Sequence, residues 1–220
     1  MTALRLNYQT VEFGTIDVHL CTLRDTNEFH DQDGRGEEVG ISEALWPLFG
    51  VVWPSSLVLA NYLLEYDLGS KGILEVGCGM ALSSLLLNKL NADITASDYH
   101  PEAKIFLDRN TSLNDDPSIT FVRADWADAN EELGLFDLIV GSDILYEDEH
   151  SKILANFISE HAKPSSEIII VDPGRGRKNK FMKKMESFGF QSEQSKPDHT
   201  DYLDKPFKGH ILKFERALVS

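Results

Sequence analysis

At 220 residues the chain is long enough for one sizeable hydrophobic core and short for two, so a single domain is expected. Its 42% hydrophobic residues exclude a disordered polymer, and runs such as Ile168–Val171 and Leu135–Val140 fall far short of the roughly 20 residues of a membrane helix. Thirty-six acidic side chains against 21 basic leave a formal charge of −15, which repels a phosphate backbone and sets nucleic acid aside as a partner.

The chain begins without the apolar stretch of a signal peptide in Met1–Asn7, and the cytoplasm is the expected location. Thr10–Leu23 alternates well enough for a hairpin turning at Phe13-Gly14-Thr15. Asp25–Gly40, rich in Asp, Glu and Gly, is expected to be a mobile loop. Residues 1–44 thus form an N-terminal hairpin/helix extension ahead of a core over 45–220. Leu45–Leu64 is apolar and aromatic, and Pro54 stands where it can open a helix through Tyr62. From Gly72 onward short apolar runs alternate with amphipathic stretches, the pattern of a parallel sheet covered by helices. Strands are predicted at Gly72–Val76, Asp93–Ser97, Ile119–Arg123, Phe136–Ser142 and Glu167–Val171. Helices are predicted at Leu82–Leu90, Pro101–Asn114, Glu149–His161 and Lys178–Phe188. Strands at Phe190–Ser195 and Gly209–Arg216 close the sheet. The expected fold is α/β: a Rossmann-like three-layer sandwich on a seven-stranded, mostly parallel sheet whose last strand is antiparallel.

The first strand runs into Gly77-Cys78-Gly79 and then a helix, and glycines there let the backbone bend tightly and approach a ligand. Leu82 stands where the dinucleotide fingerprint has its third glycine, which favours S-adenosylmethionine (SAM) over NAD. Asp98, with Tyr99 beside it, follows Gly77 by 21 residues, the distance at which a carboxylate accepts ribose hydroxyls; the alternative is a cap for the helix opening at Pro101. Asp125 and Trp126 follow the third strand, where Asp125 is either a partner of the adenine amino group or a turn residue. Glu75 lies inside an apolar strand and needs a partner, either the ammonium of the cofactor's methionine moiety or nearby backbone amides. Cys78 reads as a small turn residue, since no His, Asn or Asp is arranged as its partner. Cys21 and Cys78 lack CxxC spacing and the seven histidines, His100 and His150 among them, lack HxH or HxxxH spacing, so no metal site is expected. The cluster Arg175, Arg177, Lys178, Lys180, Lys183, Lys184 is either a solvated helix start or a patch for an acidic protein.

Together, Leu74-Glu75-Val76-Gly77-Cys78-Gly79, Ser97-Asp98 and Asp125-Trp126 resemble the successive motifs of seven-β-strand, class I SAM-dependent methyltransferases. Val52-Trp53-Pro54 with Leu57–Leu63 is similar to the Trp-containing segment ahead of the first motif in the family 16 methyltransferases, and Ser142-Asp143-Ile144-Leu145-Tyr146 to that family's Asp-x-x-Tyr motif. Gly141–Asp148 followed by Asp172-Pro173-Gly174-Arg175 looks most like the lysine methyltransferases of the electron-transfer flavoprotein β subunit, some of whose relatives are labelled predicted nicotinamide N-methyltransferases. The resemblance spans about residues 45–185. It implies a SAM site drawn from Trp53, Glu75, Gly77, Cys78, Gly79, Asp98, Tyr99, Asp125, Trp126 and Ser142, with S-adenosylhomocysteine (SAH) as product. Asp143 would position an incoming ammonium and Tyr146 would shape its pocket; their alternatives are a cap for the helix near Glu149 and core packing. The two prolines of the (Asp/Asn)-Pro-Pro-Tyr motif, typical of enzymes acting on base amines or glutamine, are missing. The resemblance implies a protein lysine as the methyl acceptor. A small nicotinamide-like molecule, a non-catalytic SAM-binding module and, weakened by Leu82, an NAD-dependent dehydrogenase are the alternatives. The oligomeric state is left open.

Overall fold

The computed structural model describes residues 5–146 and 150–217. The chain opens with a two-stranded hairpin, β1 (Leu6–Phe13) and β2 (Ile16–Leu23), joined by a two-residue turn at Gly14 and Thr15. Segment 25–40, read in the sequence as loop, carries a 3-10 turn at Thr26–Glu28 and the one-turn helix α1 (Arg35–Glu38). A second 3-10 turn, Trp46–Gly50, leads to α2 (Pro54–Leu64), with Pro54 at its first position as expected.

Then β3 (Gly72–Val76), α3 (Leu82–Lys89), β4 (Asp93–Asp98), α4 (Ala103–Leu113), β5 (Thr120–Arg123), β6 (Phe136–Ser142), α5 (His150–His161), β7 (Ala162–Asp172), α6 (Lys178–Glu186), β8 (Gln191–Ser195) and β9 (His210–Arg216) follow in order. The seven strands from β3 on form one sheet in the order β5-β4-β3-β6-β7-β9-β8. The first five run parallel, and β9 lies antiparallel between β7 and β8. This is the seven-stranded, mostly parallel sheet with an antiparallel last strand that the sequence predicts. The sequence start of α5 at Glu149 and the motif tail at Asp148 lie outside the described residues.

Alternation along the strands sends residues to two buried faces. Ile73, Ile169 and Val171 pack with α2, α3 and the hairpin; Leu74, Val76, Ile168 and Ile170 pack with α5 and α6. Because side chains alternate, Glu75 shares the α3 side with Ile73. The strand order reverses direction between β3 and β6, so the crevice at the carboxyl ends of those strands is where an open sheet of this kind takes its ligand.

Candidate functional site

Five strand ends meet along one edge, with a glycine turn at one and an aspartate at each of the others: Gly77 after β3, Asp98 closing β4, Asp125 beyond β5, Asp143 after β6 and Asp172 closing β7. Parallel pairing of β3 to β7 is what gathers residues so far apart in sequence.

The turn after β3 has Gly77 at φ 62° and Gly79 at φ 52°, left-handed values at which a Cβ is strained. A Cβ on Gly77 would also stand 2.7 Å from Ile144 Cγ2 and 3.5 Å from the Trp126 ring; one on Gly79 would meet the Phe49 carbonyl oxygen at 3.1 Å. The glycines are thus required by the protein's own packing as well as by the turn. Cys78 is buried, its amide donates to the Ser97 carbonyl at 3.0 Å, and burial pushes its thiol up, which leaves no reactive thiolate.

Asp98 fastens this turn: Oδ2 accepts from the Gly79 amide and Oδ1 from the His100 amide, each at 2.8 Å. It is not the cap of α4, whose N-cap is Glu102. Burial raises its pKa against the backbone amides of His100, Gly79 and Tyr99 that lower it, so a further donor would relieve it. Glu75, 2% exposed, takes the backbone-amide alternative: Oε2 accepts from the Ser84 amide at 2.9 Å and from the Ser84 hydroxyl. It fills the place of the missing side-chain cap of α3, whose N-cap is Ala81 in a left-handed conformation. Burial still pushes its carboxyl up to about 7.

Asp125 forms a turn, Oδ1 accepting from the Ala127 amide at 2.9 Å, while Trp126 packs beside Gly77. Trp53 caps α2 and its indole donates to the Leu48 carbonyl at 3.1 Å. Tyr99 donates its hydroxyl to the Val39 carbonyl, and its ring lies under Arg123. Buried His100 stacks on Phe49 at 3.9 Å and against Trp46 at 4.3 Å, and burial holds it neutral with a pKa of about 4. These contacts bind the 39–50 segment to the end of β4. A separate cleft of about 440 Å3 lies among Phe29, Asp31, Arg35, Trp46 and Glu102 and touches none of the five strand-end groups.

Ser142 ends β6 opposite Val171. Asp143 follows at φ 56°, a costly conformation for a residue with a Cβ, held by the hydrogen bond its N–H donates to the Val171 carbonyl at 3.0 Å. Its carboxylate oxygen Oδ1 accepts from Arg175 Nε at 2.8 Å, while the residues just before α5, which the capping alternative concerns, lie outside the described ones. Tyr146 is 39% exposed, which corrects the core-packing alternative. The basic cluster is also divided, with Arg175 on Asp143 and Lys178 on His210 at 3.0 Å, so these two do not simply face water. Sequence reasoning missed Asp172 as a site residue, although it follows its strand as Asp98 follows β4. Among the described residues no group of three His, Cys, Asp or Glu can hold a metal ion, and no helix is long and apolar enough to cross a membrane.

Residues 42–188 match the model of a family described as lysine methyltransferase. The chain is 33% identical to the histone-arginine methyltransferase METTL23 of Rattus norvegicus over 55% of its own length and 60% of the relative's. It is 30% identical to the protein-lysine methyltransferase METTL21E of Bos taurus over 79% of its length and 64% of the relative's. It therefore spans less than two thirds of either relative. Among solved structures it resembles a methyltransferase from Pyrococcus furiosus, with TM-score 0.61 and 20% identity over 76% of this chain and 84% of that one, a likeness of fold.

Proposed function

The chain belongs to the lysine methyltransferase family, and from that premise we propose that it transfers a methyl group from SAM to a lysine amine of a protein. The observation that carries this reading is Asp98, a half-buried carboxylate at the mouth of the crevice that braces the glycine turn and retains lone pairs for further donors. The site suits the cofactor: a bare-backbone turn after β3, Asp98 for ribose hydroxyls, Asp125 and Trp126 for adenine, and Trp53, Glu75, Cys78, Tyr99 and Ser142 around them. Glu75 acts on the cofactor through the α3 turn that it caps.

When bound, SAM supplies an electrophilic methyl on a sulfonium. The protein's part is to bring an amine lone pair into line with it, and orientation is the largest contribution. Asp143 at the end of β6 positions the acceptor cation, and Tyr146, partly open beside it, shapes the entry. Carboxylates raise an ammonium pKa, so the acceptor's proton leaves to water as the group is desolvated. The charge of −15 disfavours a nucleic-acid acceptor. Both cysteines are free, as a reducing compartment requires, and we place the protein in the cytoplasm.

Isothermal titration with SAH tests the site. Wild type is expected to bind at micromolar affinity and Asp98→Ala, checked for native circular dichroism, at least tenfold more weakly. Absence of binding by folded wild type overturns the assignment. Labelled-SAM transfer to protein in a cell lysate then reads the acceptor class.

A further inference from the structure

The ends of β6 and β7 bring two aspartates to neighbouring strand ends, since the Asp143 amide donates to the carbonyl of Val171, the residue before Asp172, and the charge of Asp143 is felt at Asp172. Asp172 is 1% exposed. Its Oδ2 accepts from the Gly174 amide at 3.1 Å, while its Oδ1 has no hydrogen-bond partner among the described residues. A buried carboxylate oxygen left without a donor is costly, and a site that retains one is built for a donor that arrives. Lys178, the neighbouring cation, is engaged with His210 and leaves that oxygen open.

Asp143, with a side chain 9% exposed, already holds a cation. Arg175 reaches it from solvent with a side chain 45% exposed, making the 2.8 Å contact through Nε. Arg175 stands between Gly174 at φ 98° and Gly176 at φ 83°, and a Cβ on Gly176 would meet nothing within 4 Å. The turn that carries the guanidinium is therefore free of side-chain packing at Gly176, and an ion pair with one exposed partner is weak.

We propose that Asp143 and Asp172 form one subsite for the side-chain cation of the methyl acceptor, and that Arg175 is its resident occupant, displaced when the acceptor enters. The identity of the cation as acceptor rests on the methyltransferase reading; the subsite does not. Arg175 then sets specificity by competition: a neutral group cannot replace it, whereas a lysine ammonium or an arginine guanidinium can. An occupant of this kind lowers apparent affinity by the fraction of time the subsite is closed, roughly twofold to sixfold for a pair of this strength.

The test uses the full chain labelled with nitrogen-15, with and without saturating SAH. It follows the Arg175 Nε–Hε resonance, assigned by its loss in Arg175→Lys, during titration with n-butylammonium, methylguanidinium and, as the neutral control, n-butanol. Both cations are expected to move the resonance saturably and n-butanol to leave it in place. Read from the backbone amide resonances of Asp143 and Asp172, which survive the substitution, Arg175→Ala should bind the better cation roughly twofold to sixfold more tightly than wild type, and Asp172→Asn several-fold more weakly. The cation that displaces Arg175 at lower concentration distinguishes an ammonium acceptor from a guanidinium one. A resonance unmoved by either cation, or an Arg175→Ala variant that binds no more tightly, overturns the proposal. Failure of SAH to bind overturns the methyltransferase reading alone, because the SAH-free titration still reports on the subsite.

Discussion

Glu75 shows what one buried carboxylate does in this sheet. Its strand direction points it at the first turn of α3, where two donors of Ser84 hold it, yet burial outweighs them and raises its pKa to about 7. A carboxyl whose pKa is higher folded than unfolded binds its proton more tightly in the native state. Its contribution to stability is therefore complete below the unfolded value near 4.5 and is lost as pH rises through about 7. Glu75→Gln keeps an acceptor for Ser84 and removes the charge. Urea unfolding at a series of pH values should show wild type and variant differing little at pH 4.5 and diverging up to pH 8. There the variant is expected to be the more stable by an order-of-magnitude ~3 kcal/mol. Equal dependence on pH in the two proteins would mean that Glu75 is ionised without penalty. Asp98 is also raised by burial, but its backbone donors come from the turns after β3 and before α4, so it ties the two together. Its loss should harm both ligand affinity and the turn.

The N-terminal hairpin is fastened to the core by side chains that imitate a strand. Asn110 Oδ1 accepts from the buried Cys21 amide at 2.7 Å, and Asn114 both accepts from the His19 amide at 2.8 Å and donates to the His19 carbonyl at 2.7 Å. Helix α4 thereby meets the backbone needs of β2 that β1 does not. Asn110→Ala leaves the Cys21 amide buried without an acceptor, and a loss of about 1–3 kcal/mol is expected. Hydrogen exchange at Cys21 should quicken more than exchange at Ile169 in the central sheet; equal quickening would make the hairpin part of the global unfolding unit. At this scale the sequence was legible where elements bury one or two apolar faces. Six of the seven strands of the main sheet follow from apolar runs, and α2 from Pro54; β8, Gln191–Ser195, has no apolar residue and was legible only from the place of the closing strands in the order of elements. Strand β7 begins at Ala162, five residues before the predicted Glu167, because Lys163, Pro164 and Ser165 carry no apolar signal. They occupy the irregular stretch between the Phe136–Ala162 and Leu138–Glu167 pairs, where a proline costs no ladder bond. Strand β1 extends back to Leu6 along a mostly exposed face that leaves no periodicity to read. Glycine turn, Asp98 and Asp143 were legible from their places after strands. The pair of Asp143 with Arg175 was not, because 32 residues separate them and only the β6–β7 pairing unites them.

Over the whole molecule, a charge of −15 surrounds a crevice edged by Asp98, Asp125, Asp143 and Asp172. The basic cluster near α6 does not reverse this, since Arg175 and Lys178 are engaged locally. Such a field draws cationic partners and accelerates their encounter, and salt weakens it because the Debye length shortens from about 10 Å at 0.1 M to about 3 Å at 1 M. The consequence separates the protein-lysine reading from the nicotinamide-like alternative. With a lysine-bearing basic protein as acceptor, kcat/KM should fall about tenfold or more between 50 and 500 mM sodium chloride, chiefly through KM, while kcat and SAH affinity change little. With nicotinamide, which is uncharged at neutral pH, the profile should be nearly flat. A steep profile for a basic protein would tie acceptor recognition to the acidic rim; a flat one for every active acceptor would remove the rim from recognition and leave the pocket around Tyr146 as the source of specificity.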